Sequence, residues 1–264
     1  MNSQMSTRNS SDTLAQFAVV AALIVTLVMN TLAVVLPLFG RSTKEISDSY
    51  PSFFTPAGLT FSIWSVLYLS QIAFAVFQAQ PAQAANPRIR AVRWPFVAAC
   101  LFNAVWIIAW HGLVVWASMI LMLGLLGSLI VAYNRLHIGV APATSSESWL
   151  VRVPISLYLG WITVATVANA VTLLLTLGWN DQGTLGRALA ALLILVAACI
   201  GAAFSLNRRD VAYNLVLLWA FLGIYLARPT DGVVVAGVIV GALVVLGGMI
   251  VPRLGGPRLE GRRA

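Results

Sequence analysis

The chain is a succession of long apolar runs joined by short polar segments, and this pattern constrains its fold more than any other feature. The hydrocarbon core of a bilayer is about 30 Å thick and a helix rises about 1.5 Å per residue, so about 20 apolar residues make one crossing. On that ruler the sequence predicts eight crossings, at Leu14–Phe39, Ala57–Gln78, Trp94–Trp110, Leu113–Tyr133, Val153–Leu177, Leu185–Leu206, Val211–Leu226 and Gly232–Val251. Trp94 to Tyr133 is apolar almost throughout, but as one straight helix it would be about 60 Å long, so a break at His111-Gly112 makes it a tight hairpin. Val211–Leu226 is short and needs the interfacial residues around it to span. Only 9% of the 264 residues are charged, far below the roughly 25% of a soluble domain. The expected fold class is an all-α integral membrane protein.

The formal charge of +8 does not make this a nucleic-acid binder, because the basic residues sort by membrane side. Counting alternately along eight spans puts Arg8, Arg88, Arg90, Arg93, Arg135, Arg152, Arg208, Arg209, Arg253, Arg258, Arg262 and Arg263 on one side and Arg41, Lys44, Arg187 and Arg228 on the other. By the positive-inside rule both termini are then cytoplasmic. The expected location is a bacterial inner membrane. The first 13 residues are a polar cytoplasmic tail, and the first apolar run is longer than a signal peptide's and lacks a persuasive cleavage site, so it is expected to be a retained span. Residues 252–264 make a basic cytoplasmic tail. Arg88, Arg90 and Arg93 are expected to clamp anionic headgroups, and Asp210 is expected to stay hydrated beside Arg208 and Arg209. Cys100 and Cys199, each alone in an apolar span, are expected to be small buried residues.

Three spans carry polar-tipped aromatic stripes. In the second, Ala57, Phe61, Trp64 and Tyr68 are spaced four, three and four apart, hence on one helical face. The third offers Asn103, Trp106 and Trp110; the fifth, Tyr158, Trp161, Ala165 and Asn169. In hydrocarbon an indole N–H, a phenol O–H or an amide needs a partner, so these faces turn toward other helices or toward a cavity. The residues alone leave both readings open, since Asn and Trp also pair helices without any ligand. Asn30 in the first span is similarly either a hydrogen bond between helices or part of a site. The outer loop GRSTKEISDSYPSFFTPAG either folds over an opening or is a solvated connector.

These residues resemble the TspO family of tryptophan-rich sensory and translocator proteins. The second span matches its Pro-x-Phe-x-x-Trp-x-x-Leu-Tyr pattern through Phe61, Trp64, Leu67 and Tyr68. Asn103 and Trp106 match its Asn-x-x-Trp, and Pro154, Tyr158, Trp161, Ala165 and Asn169 resemble its fifth-helix positions. The match covers about residues 14–177, which implies a TspO-like five-helix bundle; residues 178–251 add three helices, as in a longer subgroup sharing FTPAG and YLGWITVAT. One departure is that Ile155, Ser156 and Leu157 separate the fifth-helix Pro and Tyr.

The resemblance implies a cavity for a hydrophobic aromatic small molecule such as a porphyrin or other tetrapyrrole, with a sensory or regulatory role. It nominates Phe61, Trp64, Tyr68, Asn103, Trp106, Trp110, Tyr158, Trp161 and Asn169 as ligand contacts. The expected partners are the lipid bilayer, the small molecule and, for some assemblies, a second copy in a homodimer. Two alternatives stand beside this: a transporter of small lipophilic molecules, against which no deep acidic residue and no inverted repeat is seen, and a porphyrin-modifying enzyme. No nucleophile, paired-carboxylate or metal-ligand pattern speaks for catalysis. His111 reads as an interfacial or capping residue rather than a haem ligand. Retinal is excluded because Lys44, outside the spans, is the sole lysine and no interior Schiff base can form.

Overall fold

The computed structural model describes residues 10–36, 38–179 and 183–254, without the side chains of Lys44 and of residues 252–254. The tail at 1–9, Pro37 and the basic tail from 255 onward lie outside the described residues. The described residues are mostly helical: α1 Ser10–Val35, α2 Thr43–Asp48, α3 Ile63–Ala79, α4 Pro87–His111, α5 Val115–Arg135, α6 Ser145–Glu147, α7 Val153–Thr176, α8 Thr184–Arg208, α9 Val211–Ala227 and α10 Gly232–Leu254. Among the described residues, seven helical stretches are long and apolar enough to cross a membrane. The eighth, α9, has 17 residues and is about 26 Å long.

Each helix starts or stops where its local chemistry allows. Ser42 and Glu45 form a reciprocal capping box on α2, supplying partners to N–H groups that a helix start leaves unpaired. Asn86 caps α4 through Arg88 N–H with Pro87 in the first turn, so this helix begins seven residues before the expected Trp94 and takes three arginines into its first two turns. The α4–α5 break falls at the expected place, with Gly112 after His111 and Leu113 in the left-handed region at φ 57°. Ala57 is not on the helical face assigned to it: it precedes a 3₁₀ stretch at Gly58–Ser62, and α3 begins only at Ile63.

Helices α1, α4, α5, α7 and α3 pack pairwise in a closed ring of five, with α9 against the outside of α7 and α8 and α10 packed on α9 and on each other. Small residues set the spacing. A Cβ on Gly160 of α7 would lie 2.9 Å from the Tyr213 carbonyl of α9, and one on Gly248 of α10 would lie 2.9 Å from Cα of Ala202 on α8. Such close backbone approach maximises van der Waals contact where lipid removes the hydrophobic drive between helices.

The basic end of the bundle turns its charges inward. Arg90 pairs with Asp12 and Arg88 with Glu147, while Arg152 also holds Glu147, at 3.0 Å. Arg93 is 1% exposed and donates to Gln78 Oε1, to the Ala84 carbonyl and to the Gln83 carbonyl. The expected clamp on headgroups is therefore largely an internal lock joining α1, α3 and α4. Asp210 is likewise buried, accepting from Ser156 Oγ at 2.6 Å and from the Tyr213 N–H, which makes it the N-cap of α9. Cys100 is buried as expected, whereas Cys199 is exposed on the α8 surface.

Candidate functional site

At the other end, the aromatic stripes of α3, α4 and α7 meet. Phe61 stands edge-on to Trp161, centroids 6.1 Å apart and planes at 85°. Trp64 meets Trp161 at 6.2 Å and Tyr158 at 6.4 Å, both edge to face, and stacks on Tyr68 at 5.4 Å. On α4, Trp106 and Trp110 stack at 5.7 Å. Edge-to-face and offset contacts suit the ring quadrupole and contribute about 0.5–1.5 kcal/mol per pair. The rings therefore touch one another, and the space around them is divided in two.

The inner chamber lies under the outer loop, walled by Phe61, Trp64, Trp106, Trp110, Trp161, Ala165 and Asn169 and roofed by Thr43, Ser47, Thr55 and Pro56. It holds only about 60 Å³. The second space, about 460 Å³, lies between α1, α3 and α4; Phe61, Trp64 and Trp106 form the partition it shares with the chamber. Its other walls are Tyr68, Ile107, Asn30, Thr31, Val34 and Ser65, with Ser42 and Thr43 at the rim. Small-molecule sites typically occupy about 300–1,000 Å³, so the cleft is large enough for such a ligand and the chamber in this conformation is not.

Seven of the nine expected contacts thus line one space or the other: Phe61, Trp64, Tyr68, Trp106, Trp110, Trp161 and Asn169. Asn103 and Tyr158, both fully buried, stand behind the walls. Asn103 accepts a 2.7 Å hydrogen bond from Asn30, which ties α1 to α4. Asn169 accepts from the Trp106 indole at 3.0 Å and donates to Ser118 Oγ at 3.0 Å, joining α4, α5 and α7. The amides thus serve first to join helices, and the polar side chains left along the cleft are mostly hydroxyl-bearing, Thr31, Ser65 and Tyr68. Helix α1 supplies a wall that the three stripes do not include. Its signal in the sequence was Asn30, one residue from Thr31.

The outer loop folds over the opening. His111, 1% exposed, bonds Thr43 Oγ1 through Nε2 at 2.9 Å and the Leu38 carbonyl through Nδ1 at 3.2 Å. A carbonyl can only accept, so Nδ1 carries a proton and donates to it. His111 is a tether for α2. Among the described residues no group of three or more His, Cys, Asp or Glu gathers as a metal site would require.

A family model described as TSPO-like protein matches residues 16–251 of the chain. The match runs past the five-helix ring through α8, α9 and most of α10, so the three C-terminal helices fall within the family pattern. No curated protein and no solved structure matches the chain.

Proposed function

The chain belongs to the TSPO-like protein family, and on that premise we propose that this integral membrane protein binds a flat, mostly apolar aromatic molecule of the porphyrin or tetrapyrrole kind, in a sensory or regulatory role. The observation that carries the reading is the cleft of about 460 Å³ between α1, α3 and α4, with Trp64, Tyr68, Trp106 and Phe61 on its walls. Indole and phenol faces offer a macrocycle stacking surface. The hydroxyls of Thr31, Ser65 and Tyr68 offer a few fixed polar contacts, the usual make-up of a small-molecule site. Arg41, exposed and next in sequence to Ser42 at the rim, suits carboxylate groups at a macrocycle's edge. No ionised side chain lines the cleft among the described residues, which fits a ligand whose buried part is uncharged. By the distribution of basic residues the cleft opens on the side away from the cytoplasm.

Titrating protoporphyrin into the purified protein in detergent tests this reading. Saturable quenching of tryptophan fluorescence beyond the inner-filter control is expected. Trp64→Ala should weaken binding on the order of tenfold, equivalent to about 1.4 kcal/mol of lost ring contact, and Trp161→Phe, at a residue that lines the inner chamber and not the cleft, should change it little. Linear, unsaturable quenching, or the same curve for Trp64→Ala as for the unaltered protein, would overturn it.

A further inference from the structure

The segment from Ser52 to Ser62 forms half of the roof over the inner chamber through Thr55 and Pro56, and carries the wall residue Phe61. It is held mainly by α9, a helix outside the five-helix ring. The Ala57 N–H donates to the Gly223 carbonyl at 2.9 Å, and the Trp219 indole donates to the Thr60 carbonyl at 2.9 Å. Thr60 is pressed so closely onto α9 that a Cβ on Gly223 would fall 2.0 Å from its Oγ1. Arg228, at the end of α9, donates to the Ser52 carbonyl at 3.1 Å. The Phe53 ring lies 5.2 Å from the Arg187 guanidinium and 5.9 Å from that of Arg228. The other half of the roof, α2, is tied separately to α4 through His111. The two halves thus have independent tethers, and one belongs to the C-terminal helices.

We propose that α9 is the anchor that sets how readily this half of the roof lifts, with Trp219 and Gly223 as positioning residues for ligand exchange. The physical basis is the loop's own backbone. A loop must find partners for its N–H and C=O groups, and here carbonyls and donors of α9 supply them. The segment also carries Phe61, part of the partition between the chamber and the cleft, so when this half of the roof lifts a wall of the cleft moves with it and a ligand held there exchanges faster. Each contact to α9 that is lost lowers the cost of that opening. The exchange part of this inference rests on the proposed ligand; the anchoring part does not.

Hydrogen exchange at the Ala57 amide, measured on the full chain in detergent, tests the anchor without any ligand. Trp219→Phe keeps the ring and removes the donor, and should speed that exchange on the order of fivefold to tenfold. Gly223→Ala should speed it more, since the new methyl displaces Thr60. Adding Thr60→Gly to Gly223→Ala removes the overlapping atoms and should return exchange toward the original rate, a rescue that general destabilisation would not show. With protoporphyrin as probe, both association and dissociation should quicken in Trp219→Phe, with Kd changing less than either rate. Unchanged Ala57 exchange in both single variants, or failure of Thr60→Gly to rescue, would overturn the anchor. Faster Ala57 exchange in a protein that never quenches saturably would uphold the anchor and reject the ligand alone.

Discussion

The indole N–H of Trp106 meets the side-chain oxygen of Asn169 at 3.0 Å, and both residues line the inner chamber. Two side chains that resemble ligand contacts in sequence are thus already each other's partner. Trp106→Phe should lower stability by about 1 kcal/mol, the usual size of one hydrogen bond between membrane helices, because Asn169 keeps Ser118. The aromatic wall would survive, so porphyrin affinity should change less than threefold, by about 0.6 kcal/mol. Asn169→Leu removes both bonds and leaves the indole and the serine without that partner, so a larger loss, about 2 kcal/mol, is expected. Thermal unfolding in detergent alongside the titration measures both; a Trp106→Phe variant that unfolds normally but binds tenfold worse would show the N–H belongs to the ligand.

At the turn before α10, Asp231 accepts from Arg187 at 2.6 Å and from the Val234 N–H. Desolvation works to raise its pKa, but those two bonds and the Arg187 charge outweigh it and hold the carboxyl below its ordinary value. A folded-state pKa below the unfolded one means the bridge contributes fully above the unfolded value, about 3.9, and is lost as pH falls through the depressed folded value. Melting temperature should therefore be insensitive to this group from about pH 5 to 8 and show its loss only in stronger acid. With Arg187 41% exposed, the bridge contributes no more than about 1 kcal/mol. Asp231→Asn should flatten the acid limb by that amount; an equal slope in the variant would assign it to another carboxylate.

Much of this architecture is legible in the sequence because lipid imposes it. A crossing must be about 20 apolar residues long, which places α1, α5, α8 and α10 within a few residues of where the runs suggest. The meeting of Trp64, Trp106 and Trp161 is legible too, since spacings of three and four fix a helical face. Arg88, Arg90 and Arg93 misplace the start of α4, because arginines that read as a surface linker are taken up by Asp12, Glu147 and Gln78 from elsewhere in the chain. The cleft's α1 wall shows in the sequence only through Asn30, because Val34 and Val35 look like any lipid-facing pair. The roof contact between Trp219 and Thr60 joins residues 159 apart, and no local pattern encodes such a pairing.

The lock at the basic end makes a separate prediction. Arg93 is 1% exposed and holds Gln78 and two carbonyls of the α3–α4 connection. Arg93→Met should cost about 3 kcal/mol, the low end for removing one member of a buried charged network, because it strands those acceptors and weakens the setting of Asp12. Arg93→Lys should recover only part of that, since an ammonium cannot match the guanidinium fork. Unfolding curves in detergent would report both, and a neutral Arg93→Met would mean that Arg90 alone secures Asp12.

Gln71 makes the opposite prediction. It sits on α3 one turn beyond Tyr68, is 1% exposed, and neither amide atom has a hydrogen-bond partner among the described residues. An unsatisfied buried polar group costs about 1–3 kcal/mol, while an apolar side chain of similar size carries no such penalty. Gln71→Leu should therefore stabilise the protein by roughly that amount, visible as a higher unfolding midpoint in detergent at unchanged helicity. Gln71→Glu should destabilise it, because a carboxyl there must stay protonated or bring an unpaired charge into the bundle. A Gln71→Leu variant that melts lower would show that the amide is held by something other than protein atoms, such as an internal water or the polar edge of a bound molecule, and porphyrin titration of that variant would separate the two: affinity falls only in the second case.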